Sequence, residues 1–197
     1  MNLSTYSVSG LTLIVLSVLS AAIANAQAPG DDLKQSITGG FIYGIPAGAY
    51  DQNNAPGYSV GYTYRPLHWL VLEAGLDQVI DPLGSVEFLN NGQPFFYNDQ
   101  LFFVPFGPRF LWAPAASRWR VSVGGGGAYA YHHYAQYFAS NSSQFGAQAV
   151  FSGDYALSPS GRFRIGVTAR YYYTKDSTAD NITRVFTFGP SFIFSFH

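Results

Sequence analysis

The 197-residue sequence has no cysteine, a single methionine, and charged side chains at only 11% of its positions, about half the ~25% usual in soluble domains. The missing cysteines exclude a disulfide scaffold, a thiol nucleophile and any zinc or iron–sulfur site built on thiolates. Ten Lys and Arg stand against eleven Asp and Glu for a net charge of −1, which leaves no excess of positive charge to hold a nucleic acid. Helical periodicity is missing too, and beyond residue 26 no apolar run reaches the length of a helical membrane span. What is present is apolar: 48% of residues are hydrophobic and 18% aromatic. A chain of this kind does not remain disordered, and its aromatic surface needs a destination.

The first 26 residues explain part of the hydrophobicity. Leu11 to Ala24 is almost wholly apolar and runs into Ala24-Asn25-Ala26 before Gln27. This stretch is too short for a spanning helix and ends in a small-x-small pattern, so it reads as a signal peptide cleaved after Ala26. Met1 to Gly10 carries no Lys or Arg, a departure from the usual basic start of such peptides. Residues 27–35, with Asp31 and Asp32, read as a short leader on the periplasmic side, and residues 36–197 as the folded domain.

That domain reads as strand throughout. Eight segments of alternating character cover about residues 36–44, 58–65, 69–80, 101–112, 119–131, 144–156, 162–174 and 184–196, separated by clusters of Gly, Pro, Asn, Asp and Ser. The connections alternate in length. Residues 66–68, 113–118 and 157–161 are short turns, whereas 45–57, 81–100, 132–143 and 175–183 are long. Three short turns and four long loops are what an eight-stranded up-and-down barrel has when both termini lie on the turn side, and transmembrane barrels pair short periplasmic turns with long external loops. The charges divide likewise, with Arg65, Arg118 and Arg162 near the turns and Asp51, Asp81, Glu87, Asp99, Asp176 and Asp180 in the loops. The longest connection carries Phe88, Phe95, Phe96 and Tyr97, expected to fold onto the barrel rim, with a contact surface as the other reading.

Parity decides which solvent the barrel faces. In residues 119–131 one face receives Trp119, Val121, Val123, Tyr129 and Tyr131, the other Arg120, Ser122, Gly124, Gly126, Ala128 and Ala130. In residues 162–173 Phe163, Ile165, Val167, Ala169, Tyr171 and Tyr173 oppose Arg162, Arg164, Gly166, Thr168, Arg170 and Tyr172. A soluble lipocalin-like carrier turns its apolar face inward and needs Lys and Glu outside; here the second face holds Gly, Ala, Ser and Thr instead. Turned outward, the apolar face meets lipid, with aromatics near both ends of each strand. Closure also leaves no unpaired strand edge in hydrocarbon. The expected fold is therefore an all-β, eight-stranded antiparallel transmembrane barrel with a polar interior.

The few charges inside the strands then need partners. Glu73 lies four residues above Trp69 and Arg109 three from Trp112, so they are expected to meet. Arg120 is placed near that level, Asp154 is expected to face Arg164, and Asp77 and Arg170 sit higher. These seven residues read as a structural network inside a barrel just wide enough for side chains to fill, with a narrow path for small solutes as the competing reading. Gly124 to Gly127 has no Lys-Ser/Thr continuation of a phosphate loop and is expected to leave room for neighbouring Arg and Tyr side chains. His132 and His133 are adjacent and, on a continuing strand, point to opposite faces, so they do not share a metal.

The last strand, with Thr187, Gly189, Phe192, Phe194 and Phe196 at alternating positions, resembles the C-terminal signal read by the outer-membrane barrel assembly machinery, although His197 follows the last aromatic. With the Gly-rich Val121 to Tyr131, the chain as a whole resembles the small bacterial outer-membrane barrels of the OmpA, OmpX and OmpW type. That resemblance implies fold and location, with outer-membrane lipid and lipopolysaccharide as surroundings, and does not imply an activity. The layout is also similar to that of the lipid A deacylase family, whose penultimate strand carries His and Ser of a catalytic triad. Here Tyr171 and Tyr173 occupy that stretch, and a phenol with pKa near ~10 does not replace an imidazole base. The expected protein is a structural or surface-interaction barrel, with no cofactor, metal or enzyme activity and with a surface ligand that the sequence leaves unnamed.

Overall fold

The computed structural model describes residues 33–47, 54–80, 86–88, 94–96, 100–113, 118–133, 141–175 and 182–197. The signal-peptide segment and most of the leader lie outside these residues, as do the side chains of the longest connection.

Among the described residues ten strands follow one another: β1 (Gln35–Pro46), β2 (Ala55–Leu67), β3 (Leu70–Ile80), β4 (Val86–Phe88), β5 (Pro94–Phe96), β6 (Gln100–Trp112), β7 (Trp119–His133), β8 (Ser142–Ala156), β9 (Phe163–Lys175) and β10 (Ile182–Phe196). Eight of them close into a barrel in the order β1-β10-β9-β8-β7-β6-β3-β2, with β1 pairing β2 to complete the ring. Every barrel pairing is antiparallel. The small strands β4 and β5 pair with each other as a separate hairpin inside the third connection, which the sequence presents only as a long loop.

The eight barrel strands coincide with the eight alternating segments, and most run further at the loop end. β2 begins three residues earlier than its alternation, and β1, β7, β8 and β10 gain two residues each on that side. The reason is physical: beyond the apolar belt both faces of a strand meet polar surroundings, so side-chain alternation fades while the backbone ladder continues.

Strand parity sorts the side chains by face. Outward residues include Phe41, Trp112, Phe145 and Val167, at 71%, 67%, 70% and 57% exposure, so an uncovered apolar belt surrounds the barrel. Its ends are aromatic. Near the turns Trp69 stacks on Phe110 at 5.9 Å and Trp119 tilts against Tyr155 at 5.0 Å; near the loops Tyr129 meets Phe145 at 4.9 Å and Tyr43 meets Phe188 at 6.1 Å. Amphipathic rings of this kind favour membrane interfaces.

The glycine run works differently from the expectation. A Cβ on Gly124 would lie 2.3 Å from the Pro108 carbonyl oxygen and 3.0 Å from Arg109 Cγ, so this glycine admits the neighbouring backbone as well as the arginine, and at Gly127 it would lie 2.3 Å from the ring of Phe106. The second side chain accommodated is a phenylalanine of β6 folded over the outer surface, not a tyrosine.

Candidate functional site: the barrel interior

The ionisable residues of the strands converge in the barrel interior as a ladder. Nearest the turns, Asp154 on β8 accepts from two guanidinium groups: Arg120 of β7 through Nε at 3.1 Å and Arg164 of β9 through Nε. Arg164 Nη2 also donates to the Arg118 carbonyl at 2.8 Å, which ties the layer to the rim. Direct cross-strand pairing explains the first contact, because Arg120 and Asp154 are register partners. Arg120 thus lies a layer below Glu73, not near its level. The stagger of β6 and β7 is the cause: Trp112 pairs with Val121, so β7 extends two residues further toward the turns than β6.

The next layer centres on Glu73 of β3. Arg109 of β6 reaches it through Nη2, Arg170 of β9 donates Nη2 to Oε2 at 2.9 Å, and Gln148 of β8 donates Nε2 to Oε1 at 3.1 Å. Arg109 is the register partner of Val71 and not of Glu73, so its side chain climbs two residues to make this pair. Above it, Asp77 accepts from Ser59 Oγ at 2.6 Å, Tyr172 Oη at 2.6 Å and Arg170 Nη1 at 3.4 Å. Arg170 therefore bridges the two carboxylates. All three acids are buried, at 8% exposure or less, where a lone charge is costly and a multiply hydrogen-bonded one is tolerated.

Toward the loops the interior changes character. Phe103 of β6 and Tyr172 of β9 stack face to face, with ring centroids 4.0 Å apart and planes 7° from parallel. Both are fully buried, and they belong to one cluster with Ile42, Ala55, Val79, Leu101, Ala128, Ala130 and Val185. The interior is therefore not polar throughout: an apolar cluster lies loopward of the charge ladder, beside the buried Thr174–Gln144 hydrogen bond at 2.8 Å. Counting by twos from Arg109 places Phe103 and Leu101 inward, and Tyr172 shares the face of Arg170. The signal is in the sequence, but a phenol read simply as a polar group conceals its packing role.

On the turn side the ladder leaves a cavity of about 80 Å³ between the arginines and a wall of small residues from β1 and β2 that includes Ser36, Thr38, Gly61 and Thr63.

The five residues of the C-terminal pattern divide by parity. Thr187 is buried inward, Phe192 and Phe194 are exposed outward, and Phe196, although outward, is 3% exposed and stacks on Phe194. Gly189 lies at the closing seam, where a Cβ would sit 1.9 Å from the Phe41 carbonyl oxygen. His132 is buried and its neighbour His133 is partly covered, and among the described residues no three His, Asp or Glu side chains gather to hold a metal. Tyr171 and Tyr173 point outward, at 39% and 40% exposure.

No protein-family model matches the chain, and no curated protein sequence matches it. Solved structures do. Neisserial surface protein A aligns with a TM-score of 0.59 at 12% identity, over 82% of this chain and 97% of its own. The outer membrane protein OprG from Pseudomonas aeruginosa aligns at 0.56 and 15% identity, over 85% and 98%. Ail, the attachment invasion locus protein of Yersinia pestis, solved in complex with the heparin analogue sucrose octasulfate, aligns at 0.53 and 16%, over 82% and 98%. At these identities the likeness is one of fold: the chain has the fold of small outer-membrane barrels over nearly the whole length of each.

Proposed function

We propose that this chain is an exported bacterial outer-membrane protein with a structural or surface-interaction role. In this reading residues 1–26 are removed as a signal peptide, residues 27–35 stay in the periplasm beside the short turns, and the four long connections face outward from the cell. Thr187, Gly189, Phe192, Phe194 and Phe196 present β10 to the assembly machinery, and lipid and lipopolysaccharide surround the barrel. Glu73, Asp77, Arg109, Arg120, Asp154, Arg164 and Arg170 serve to hold the strands in register from within.

The observation that carries this reading is the uncovered apolar belt. A closed sheet exposing Phe41, Trp112, Phe145, Phe151 and Val167 at more than half their surface is an aggregation hazard in water and a proper fit to hydrocarbon. The fold shared with small outer-membrane barrels supports the same location. The surface role rests on the four long connections gathered at one end of the barrel, which in this orientation are the parts presented to molecules outside the cell.

The test uses the three tryptophans. Trp69, Trp112 and Trp119 all lie at the turn end, so in vesicles their fluorescence is expected to be quenched by bromines near the headgroups and spared by bromines at the bilayer centre. Recovery of the protein in a detergent-free soluble extract, with no lipid quenching, would overturn the proposal.

A further inference from the structure

We propose that the turn-side cavity binds a small tetrahedral oxyanion, of the class of inorganic phosphate or sulfate. The charge around it is unbalanced. Inside the barrel Arg109, Arg120, Arg164 and Arg170 stand against Glu73, Asp77 and Asp154, four cations to three anions, and Lys34 also lines the cavity. Each of those carboxylates is already shared by two or more donors, so the ladder cannot neutralise the surplus from within. A concave site with low-dielectric walls and an excess of one sign concentrates the opposite ion.

Two further observations narrow the occupant. Arg109 spends Nη2 on Glu73, its Nη1 reaches Ser152 only at 3.5 Å, and Arg109 and Arg120 both line the cavity with 12% and 18% of their side chains exposed. Guanidinium donors in a fixed fork match the oxygens of a phosphate or sulfate, and the hydroxyls of Thr38 and Thr63 on the facing wall add rotatable donors. The volume of about 80 Å³ is several times the roughly 10–15 Å³ that one water requires, which admits a small ion and excludes a polymer. Leu33, Lys34 and Arg65 line the cavity at the turn end, and the stacked Phe103 and Tyr172 lie on the far side. The mouth is thus at the turn end. That it opens to the periplasm rests on the orientation proposed above, whereas the site itself does not.

The test is a titration of the refolded full chain in a phosphate-free maltoside detergent with inorganic phosphate, read by calorimetry and by amide NMR shifts. Saturable one-site binding is expected, with shifts confined to Thr38, Gly61, Thr63 and Arg109 and with sulfate competing. Gly61 faces the cavity and has room for a side chain, since the nearest heavy atom to an added Cβ is 3.7 Å away. Gly61→Leu is therefore expected to keep the circular-dichroism spectrum and weaken binding at least tenfold; should it fail to refold, Thr38→Leu makes the same prediction. Linear, unsaturable shifts, or binding undiminished in the filled variant, would overturn the site. A short-chain phosphatidic acid that displaces phosphate from these residues would assign the oxyanion to a lipid headgroup and overturn the free-ion form.

Discussion

Asp154 is the residue on which most turn-side charge depends, because two guanidinium groups converge on its one carboxylate. Asp154→Asn leaves both cations buried with a neutral partner, and losing one side of a buried pair costs about 3–5 kcal/mol. A loss of that size is expected in urea unfolding of the lipid-refolded barrel, with a smaller loss for Arg120→Gln, which leaves Arg164 on the acid. Tyr172 has two roles: its ring packs on Phe103 and its hydroxyl donates to Asp77 at 2.6 Å. Tyr172→Phe removes only the second, and an expected cost of about 1–3 kcal/mol for the weakened satisfaction of a buried acid separates the two when measured in the same unfolding assay.

Among the strands, the seam between β1 and β10 closes the ring, and its close approach depends on Gly189. Any side chain there must push back the Phe41 carbonyl. Gly189→Val is expected to lower the yield of folded barrel in a gel-shift refolding assay, whereas Gly39→Ala on β1, with nothing within 4 Å of an added Cβ, is expected to leave it unchanged. The strands themselves are legible in the sequence, since a period of two with Phe, Val and Tyr on one face and Gly, Ser and Arg on the other is imposed by the two solvents. Their loop-side ends are not, because the alternation dies where the lipid ends. Inside, counting gives the face of each charged residue but not its height: Arg120 drops to Asp154 through the stagger of β7 on β6, and Arg109 climbs past Val71 to Glu73. Both displacements follow from register, which one strand cannot report about its neighbour.

At the scale of the whole molecule the interior carries its charges toward the turns and, toward the loops, an apolar cluster with uncharged polar neighbours such as the buried Gln144–Thr174 pair. Planar-bilayer recordings are expected to show no stable open steps for the wild type. The Phe103→Ala and Tyr172→Ala double variant, which deletes the stacked pair at 4.0 Å, is expected to show brief openings, at a stability cost of about 3–5 kcal/mol for each large ring removed. The apolar cluster also decides where an electrical potential falls. A wet cavity follows the potential of the bath it opens to, so the drop across the membrane is concentrated in the stratum of Phe103, Tyr172, Val79 and Val185. Moving one charge through 100 mV is worth about 2.3 kcal/mol, but the ladder from Asp154 to Glu73 lies on the turn side of that stratum, largely outside the field. The most highly charged part of the molecule is consequently its electrically quiet part, and a transmembrane voltage has little leverage on the ion pairs that hold the barrel together.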